Sequence, residues 1–184
     1  MYKYKTNFFI LTGGPGAGKT TLIQALDKHH YHTVGESGRS IIREQMKNAG
    51  DALPWKDKAL FSRHMLQADI HNYHLYEPAD TPVIFDRGIP DVLGYIRLSN
   101  ISSCTWAALY AENYRYNTTV FILPPWKEIY HHDIERKQDF KLALYTYKMM
   151  HSTYKALGYL LVEVPRIPVV ERARMIIEHI QAKI

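Results

Sequence analysis

Residues Gly13-Gly14-Pro15-Gly16-Ala17-Gly18-Lys19-Thr20 fit the spacing Gly-x4-Gly-Lys-Thr without a mismatch. Glycines at these positions let the backbone turn on itself, so that several N–H groups converge on one anion. A helix starting at the end of such a loop adds the positive end of its dipole. Lys19 would then reach the β- and γ-phosphates of a nucleoside triphosphate. The Thr20 hydroxyl would ligate Mg²⁺, and Thr21 extends the same surface. The competing reading is a glycine-rich strand–helix turn with no ligand. Context disfavours it, because an apolar run precedes the motif and a helical pattern follows it.

Three further segments carry residues suited to phosphoryl chemistry. Val83-Ile84-Phe85 ends in Asp86 and Arg87. An Asp closing an apolar strand beside a phosphate loop is placed to hold Mg²⁺, directly or through water. The alternative for Asp86 is a helix cap or a surface carboxylate. Arg87 would face the phosphates or an acceptor, or else pair with Asp86 or Glu36. The second segment, Gly35-Glu36-Ser37-Gly38-Arg39, offers a carboxylate across the crevice. Glu36 could accept the proton of a hydroxyl that attacks the γ-phosphorus, and Arg39 could orient the molecule bearing it. The bland reading of Glu36 is a helix cap or a structural ion pair. In the third segment, Arg136 and Lys137 enter a long helix near its N-terminus, where the dipole disfavours cations. That placement suggests an external anion and a lid over about 125–140, with a solvated basic turn as the alternative.

Elements that could position these groups follow from periodicity. Asn7–Thr12, Tyr31–Gly35, Thr81–Asp86, Thr118–Leu123 and Tyr159–Val164 read as short apolar strands. Helical patterns cover 18–29, 37–49, 56–76, 90–98, 105–116 and 138–157, and a last amphipathic helix begins at Val169 and reaches Ile184. Strands alternating with helices predict an α/β fold with a parallel sheet covered on both faces. Ligands bind such sheets at the carboxyl ends of the strands, where every residue named above falls. No repeat or linker divides the chain, so a single domain over 1–184 is expected.

Composition is that of a globular protein, with 46% apolar and 22% charged residues. The single cysteine, Cys104, cannot form an internal disulfide, so a cytoplasmic setting is expected. Phe8–Leu11 is too short for a signal-peptide core or a membrane span. The net charge of +5 comes from dispersed basic residues, which disfavours nucleic acid as a partner. Neither the His71/His74 pair nor His131-His132-Asp133 has the ligand pattern of a zinc site. Trp55 and Trp126 both follow prolines in loops expected at the crevice.

Together, the phosphate loop, residues 35–39, Phe-Asp-Arg-Gly-Ile-Pro-Asp (85–91) and the Leu-Pro-Pro-Trp…Asp-Ile-Glu-Arg-Lys-Gln segment (123–138) resemble the P-loop NTPases grouped with the ribosylnicotinamide-kinase domain of NadR. The resemblance implies a three-layer nucleoside/nucleotide-kinase-like fold with sheet order 2-3-1-4-5 and a lid. It also implies that Glu36, Asp86 and Arg136 line the catalytic crevice. Arg87 departs from that domain's pattern, as do Leu53-Pro54-Trp55 and Tyr95 on the acceptor side, so its substrate does not carry over. The expected activity is transfer of the γ-phosphate of Mg·ATP to a hydroxyl of a small nucleoside-like metabolite. A nucleotide-dependent switch or slow NTPase working through a protein partner is the alternative, and a polynucleotide kinase a further one. No Asn/Thr-Lys-x-Asp guanine-reading motif is present, which favours ATP and leaves GTP open.

Overall fold

A computed structural model describes residues 2–102, 105–130 and 140–183. Cys104, the segment His131-His132-Asp133, Arg136, most of the expected lid and Ile184 lie outside the described residues.

Five strands form the main sheet: β1 (Phe8–Gly13), β2 (His32–Val34), β3 (Val83–Asp86), β4 (Thr119–Leu123) and β5 (Leu160–Glu163). All pairings are parallel, in the order β2-β3-β1-β4-β5. The helices are α1 (Lys19–Asp27), α2 (Ser37–Lys47), α3 (Lys58–Tyr76), α4 (Ile89–Leu98), α5 (Thr105–Asn113), α6 (Phe140–Ala156) and α7 (Val169–Gln181). Among the described residues, no helix is long and apolar enough to cross a membrane.

The central strand β1 is buried on both faces, and its side chains alternate between two cores. Phe8 and Ile10, with Phe85, Val120 and Ile122, pack against α3, α4, α5 and α6. Phe9 and Leu11, with Ile84, Phe121 and Leu123, pack against α1 and α7. Fully burying one such side chain stabilises the fold by roughly 1.5–3 kcal/mol, so these two layers dominate its stability. β5 closes one edge and is only half covered, with Leu160 63% exposed.

One local expectation fails for an identifiable reason. The helix expected over 105–116 stops at Asn113. Tyr114–Arg115 instead pairs in parallel with Lys3–Tyr4. Tyr114 sets its ring edge-on to Tyr73, with centroids 5.1 Å apart. Arg115 stacks 4.1 Å over Tyr159 and donates to the Leu157 carbonyl at 2.8 Å. Those tertiary contacts outweigh helical propensity, which amounts to about 0.7 kcal/mol per residue or less. In α2, Met46 stands four residues after Ile42 yet is 62% exposed. The apolar side chains of α2 that are buried, Ile41 and Ile42, pack against Leu53 and Phe61.

Candidate active site

β1, β3 and β4 end side by side, and their following loops bound a crevice of about 560 Å³. Its floor is the loop from β1 to α1. Gly13 is paired with Leu123 in the sheet register. A Cβ on Gly14 would lie 2.5 Å from the Ala143 carbonyl oxygen of α6, so only glycine fits there. Gly16 has φ +68°, and a Cβ on it would run into the ring of Tyr130. Pro15 to Thr21 line the crevice, with Thr20 and Thr21 exposed to it.

Lys19 is buried at the start of α1, and its Nζ lies 3.3 Å from Asp86 Oδ1. The contact is an ion pair whose geometry falls short of a hydrogen bond, so that oxygen has no hydrogen-bond donor among the described residues. Asp86 is itself buried, just behind the lysine.

Arg87 takes φ +73°, a left-handed conformation that costs a bulky residue on the order of 1–2 kcal/mol. Its surroundings hold it there. Its backbone N–H donates to the Leu11 carbonyl at 2.9 Å. Its Nε donates to Glu36 Oε1 at 3.2 Å and its Nη1 to Asp91 Oδ1 at 3.0 Å. Burial alone would lower the Arg87 pKa, but Glu36, Asp91 and Asp86 outweigh it and hold the guanidinium above the ordinary arginine value. Glu36 occupies the cap position of α2, yet its side chain makes no cap. Its second oxygen instead accepts from Arg39 Nε at 3.1 Å. Two guanidinium groups therefore aim the Glu36 carboxylate across the crevice.

Asp91 anchors this network from the first turn of α4. It accepts from Thr12 Oγ1 and Tyr154 Oη at 2.5 Å each and from the Gly88 N–H at 3.1 Å, in addition to Arg87. Asp69, on α3, faces the same cluster from below. Burial raises its carboxyl to about 7 against the pull of a hydrogen bond from Ser37, with Asp91 and Glu36 adding and Arg87 opposing. On the opposite wall, α7 presents Arg172 to the crevice beside Trp126 and Ile129.

Of the residues singled out in the sequence, Pro15 to Thr21, Glu36, Arg39 and Arg87 share the crevice lining. Asp86 reaches it through Lys19. Gly13 and Gly14 form the buried base of the loop. Arg136 lies outside the described residues. Trp126 lines the crevice, whereas Trp55 is 56% exposed and lies away from it. His71 is exposed on α3, and among the described residues no group of His, Cys, Asp and Glu is arranged to hold a metal on its own. Sequence reasoning missed Asp91, Asp69, Tyr130 and Arg172. Arg172 left a signal, since it falls three residues after Val169 and four before Ile176, within the apolar stripe of α7.

This fold and loop define a P-loop NTPase of kinase-like architecture, an enzyme of the phosphotransferase or ATPase kind. The chain belongs to the family described as an AAA domain, whose sequence pattern matches residues 8–172. Among curated proteins no sequence matches it. Solved structures share its fold. A deoxyadenosine kinase from M. mycoides, with products dCMP and dCDP bound, superimposes with a TM-score of 0.65 at 16% identity. That match covers 95% of this chain and 99% of the kinase. The NadR protein in complex with NR gives a TM-score of 0.71, also at 16% identity, and covers 96% of this chain and 51% of NadR.

Proposed function

We propose that the chain is a small-molecule kinase that transfers the γ-phosphoryl group of ATP to a hydroxyl of a nucleoside-like acceptor. The observation that carries this reading is the Glu36 carboxylate. It is buried, lines the same crevice as the phosphate loop and is oriented by both Arg39 and Arg87. A hydrolase would turn such a carboxylate on water, which the experiment below separates from transfer. A kinase needs one where the acceptor hydroxyl approaches.

The step follows from that arrangement. The loop N–H groups and Lys19 bind the β- and γ-phosphates. The acceptor oxygen attacks the γ-phosphorus as its proton passes to Glu36. The bond from the γ-phosphorus to the bridging oxygen breaks, and ADP leaves. Arg87 and Arg39 hold the Glu36 carboxylate in place, one on each of its oxygens. The Thr20 hydroxyl and the under-bonded, buried Asp86 Oδ1 form an oxygen donor set suited to Mg²⁺, with Lys19 released to the phosphates. When bound, the metal would neutralise charge on the phosphate oxygens. Arg136, on the expected lid, is proposed to add positive charge at the transferring group. The nucleobase is proposed to rest near Ile167-Pro168-Val169, which lines the crevice after β5.

The test is phosphoryl transfer from γ-labelled ATP to a panel of nucleosides and related metabolites, with wild type beside Glu36→Gln. Acceptor-dependent transfer that drops by about a hundredfold or more in Glu36→Gln is the expected result. Hydrolysis that ignores acceptors and is untouched by Glu36→Gln refutes the proposal.

A further inference from the structure

The cations around the crevice are not equivalent. Lys19 faces Asp86 at 3.3 Å. Arg39 is held by Glu36, and Arg87 by Glu36 and Asp91. Arg172 is different. It is 5% exposed, yet among the described residues it makes no salt bridge, and burial pulls its pKa down with no carboxylate to oppose the shift. Its Nε is buried without a hydrogen-bond partner. What holds it is weak: the Ala17 carbonyl of the phosphate loop, 3.4 Å from Nη1, and the face of Trp126, 5.3 Å away. It also sits in the N-terminal part of α7, where the helix dipole disfavours a cation. A buried guanidinium without a counter-charge is destabilising in the free protein. Three unfavourable features therefore converge on one side chain, and that side chain lines the phosphate-loop crevice.

The arrangement is explained by an anion that arrives from outside. Nη1 and Nη2 both lie against Gly18, at 3.1 and 3.2 Å from where its Cβ would stand, next to the start of α1. Since the other cations among the described residues of the crevice are matched by carboxylates, Arg172 leaves them with net positive charge. We propose that Arg172 is a phosphate-binding residue of the nucleotide site, its guanidinium neutralised by the phosphates of the bound nucleoside di- or triphosphate. Its contacts with Trp126 and Ala17 keep the guanidinium beside the loop. This proposal rests on the reading of the crevice as a nucleotide site and adds a recognition group on the wall opposite Glu36.

Binding of ATP, pyrophosphate and adenosine to wild type, Arg172→Gln and Arg172→Lys tests it, with the thermal midpoint of each free protein. Arg172→Gln is expected to weaken ATP and pyrophosphate about tenfold to a hundredfold and to leave adenosine unchanged. Arg172→Lys keeps the charge and is expected to lose less. The midpoint of free Arg172→Gln is expected to match or exceed wild type, because an uncompensated buried charge is gone. Two results overturn the proposal: ATP bound within about twofold of wild type in Arg172→Gln, or a lowered midpoint with ATP and adenosine weakened equally, which marks a packing role. If wild type binds none of the three ligands, the nucleotide-site reading itself fails, a result distinct from either of these.

Discussion

Replacing Asp91 by Ala should destabilise this protein strongly. Asp91 is 4% exposed and accepts from Thr12, Arg87, Gly88 and Tyr154. Its loss leaves the buried Arg87 with its bond to Glu36, and leaves the buried hydroxyl groups of Thr12 and Tyr154 without that acceptor. Breaking a buried ion pair from one side costs roughly 3–5 kcal/mol. Each orphaned hydroxyl adds about 1 kcal/mol or more, offset where Arg87 keeps Glu36 and where water enters the space left. The expected loss is about 4 kcal/mol. In urea, with a slope of about 2 kcal/mol/M for a chain of this size, the midpoint falls by roughly 2 M. Tyr154→Phe alone should cost about 1 kcal/mol, since Asp91 keeps its other donors. The two changes share a partner, so Tyr154→Phe should cost little once Asp91 is already Ala. A loss below about 1 kcal/mol for Asp91→Ala, or simple additivity with Tyr154→Phe, would show that the network is not a stabilising unit.

Two further expectations follow from the same structure. The Asp69 carboxyl is raised from 3.8 to about 7 by folding, so between those values the folded chain binds more protons than the unfolded one. Its stabilising contribution is complete below about pH 3.8 and is lost as pH rises through about 7, a change on the order of 4 kcal/mol at most. Asp69→Asn mimics the protonated form. Its advantage over wild type in chemical denaturation should grow from near zero at about pH 4 to its full value above about pH 8, and an advantage independent of pH refutes the assignment. Gly14→Ala would press a methyl group against the Ala143 carbonyl, 2.5 Å away. It should cost about 2 kcal/mol or more in a thermal melt and weaken nucleotide binding with it, and a neutral outcome would mean that α6 yields freely.

The phosphate loop was legible because its chemistry is local: eight adjacent residues carry the pattern. The strand–helix alternation was legible for the same reason, since each strand is a short apolar run. The sheet order was not contained in any spacing and entered through resemblance. Asp91 escaped as a site residue because its role depends on Thr12 and Tyr154, which lie 79 and 63 positions away in the chain. Asp69 reads as an ordinary helical polar residue until α2 and α4 close over it. Tyr114 and Arg115 continue a helical pattern, and only contacts with Tyr73 and Tyr159 pull them out of it.

The first motif made by the chain is the last to be completed. Gly13 needs Leu123 beside it in the sheet, Gly14 is backed by Ala143, Gly16 by Tyr130, and Ala17 accepts from Arg172. Each of those supports lies more than a hundred positions downstream. During synthesis, the loop therefore exists as sequence long before it exists as a receptor. A nucleotide captured by the finished crevice stabilises the whole native state by RT ln(1 + [L]/Kd), about 2.7 kcal/mol at a hundredfold excess over Kd. A nucleotide bound there would thus stabilise the loop and its distant supports together, α7 among them.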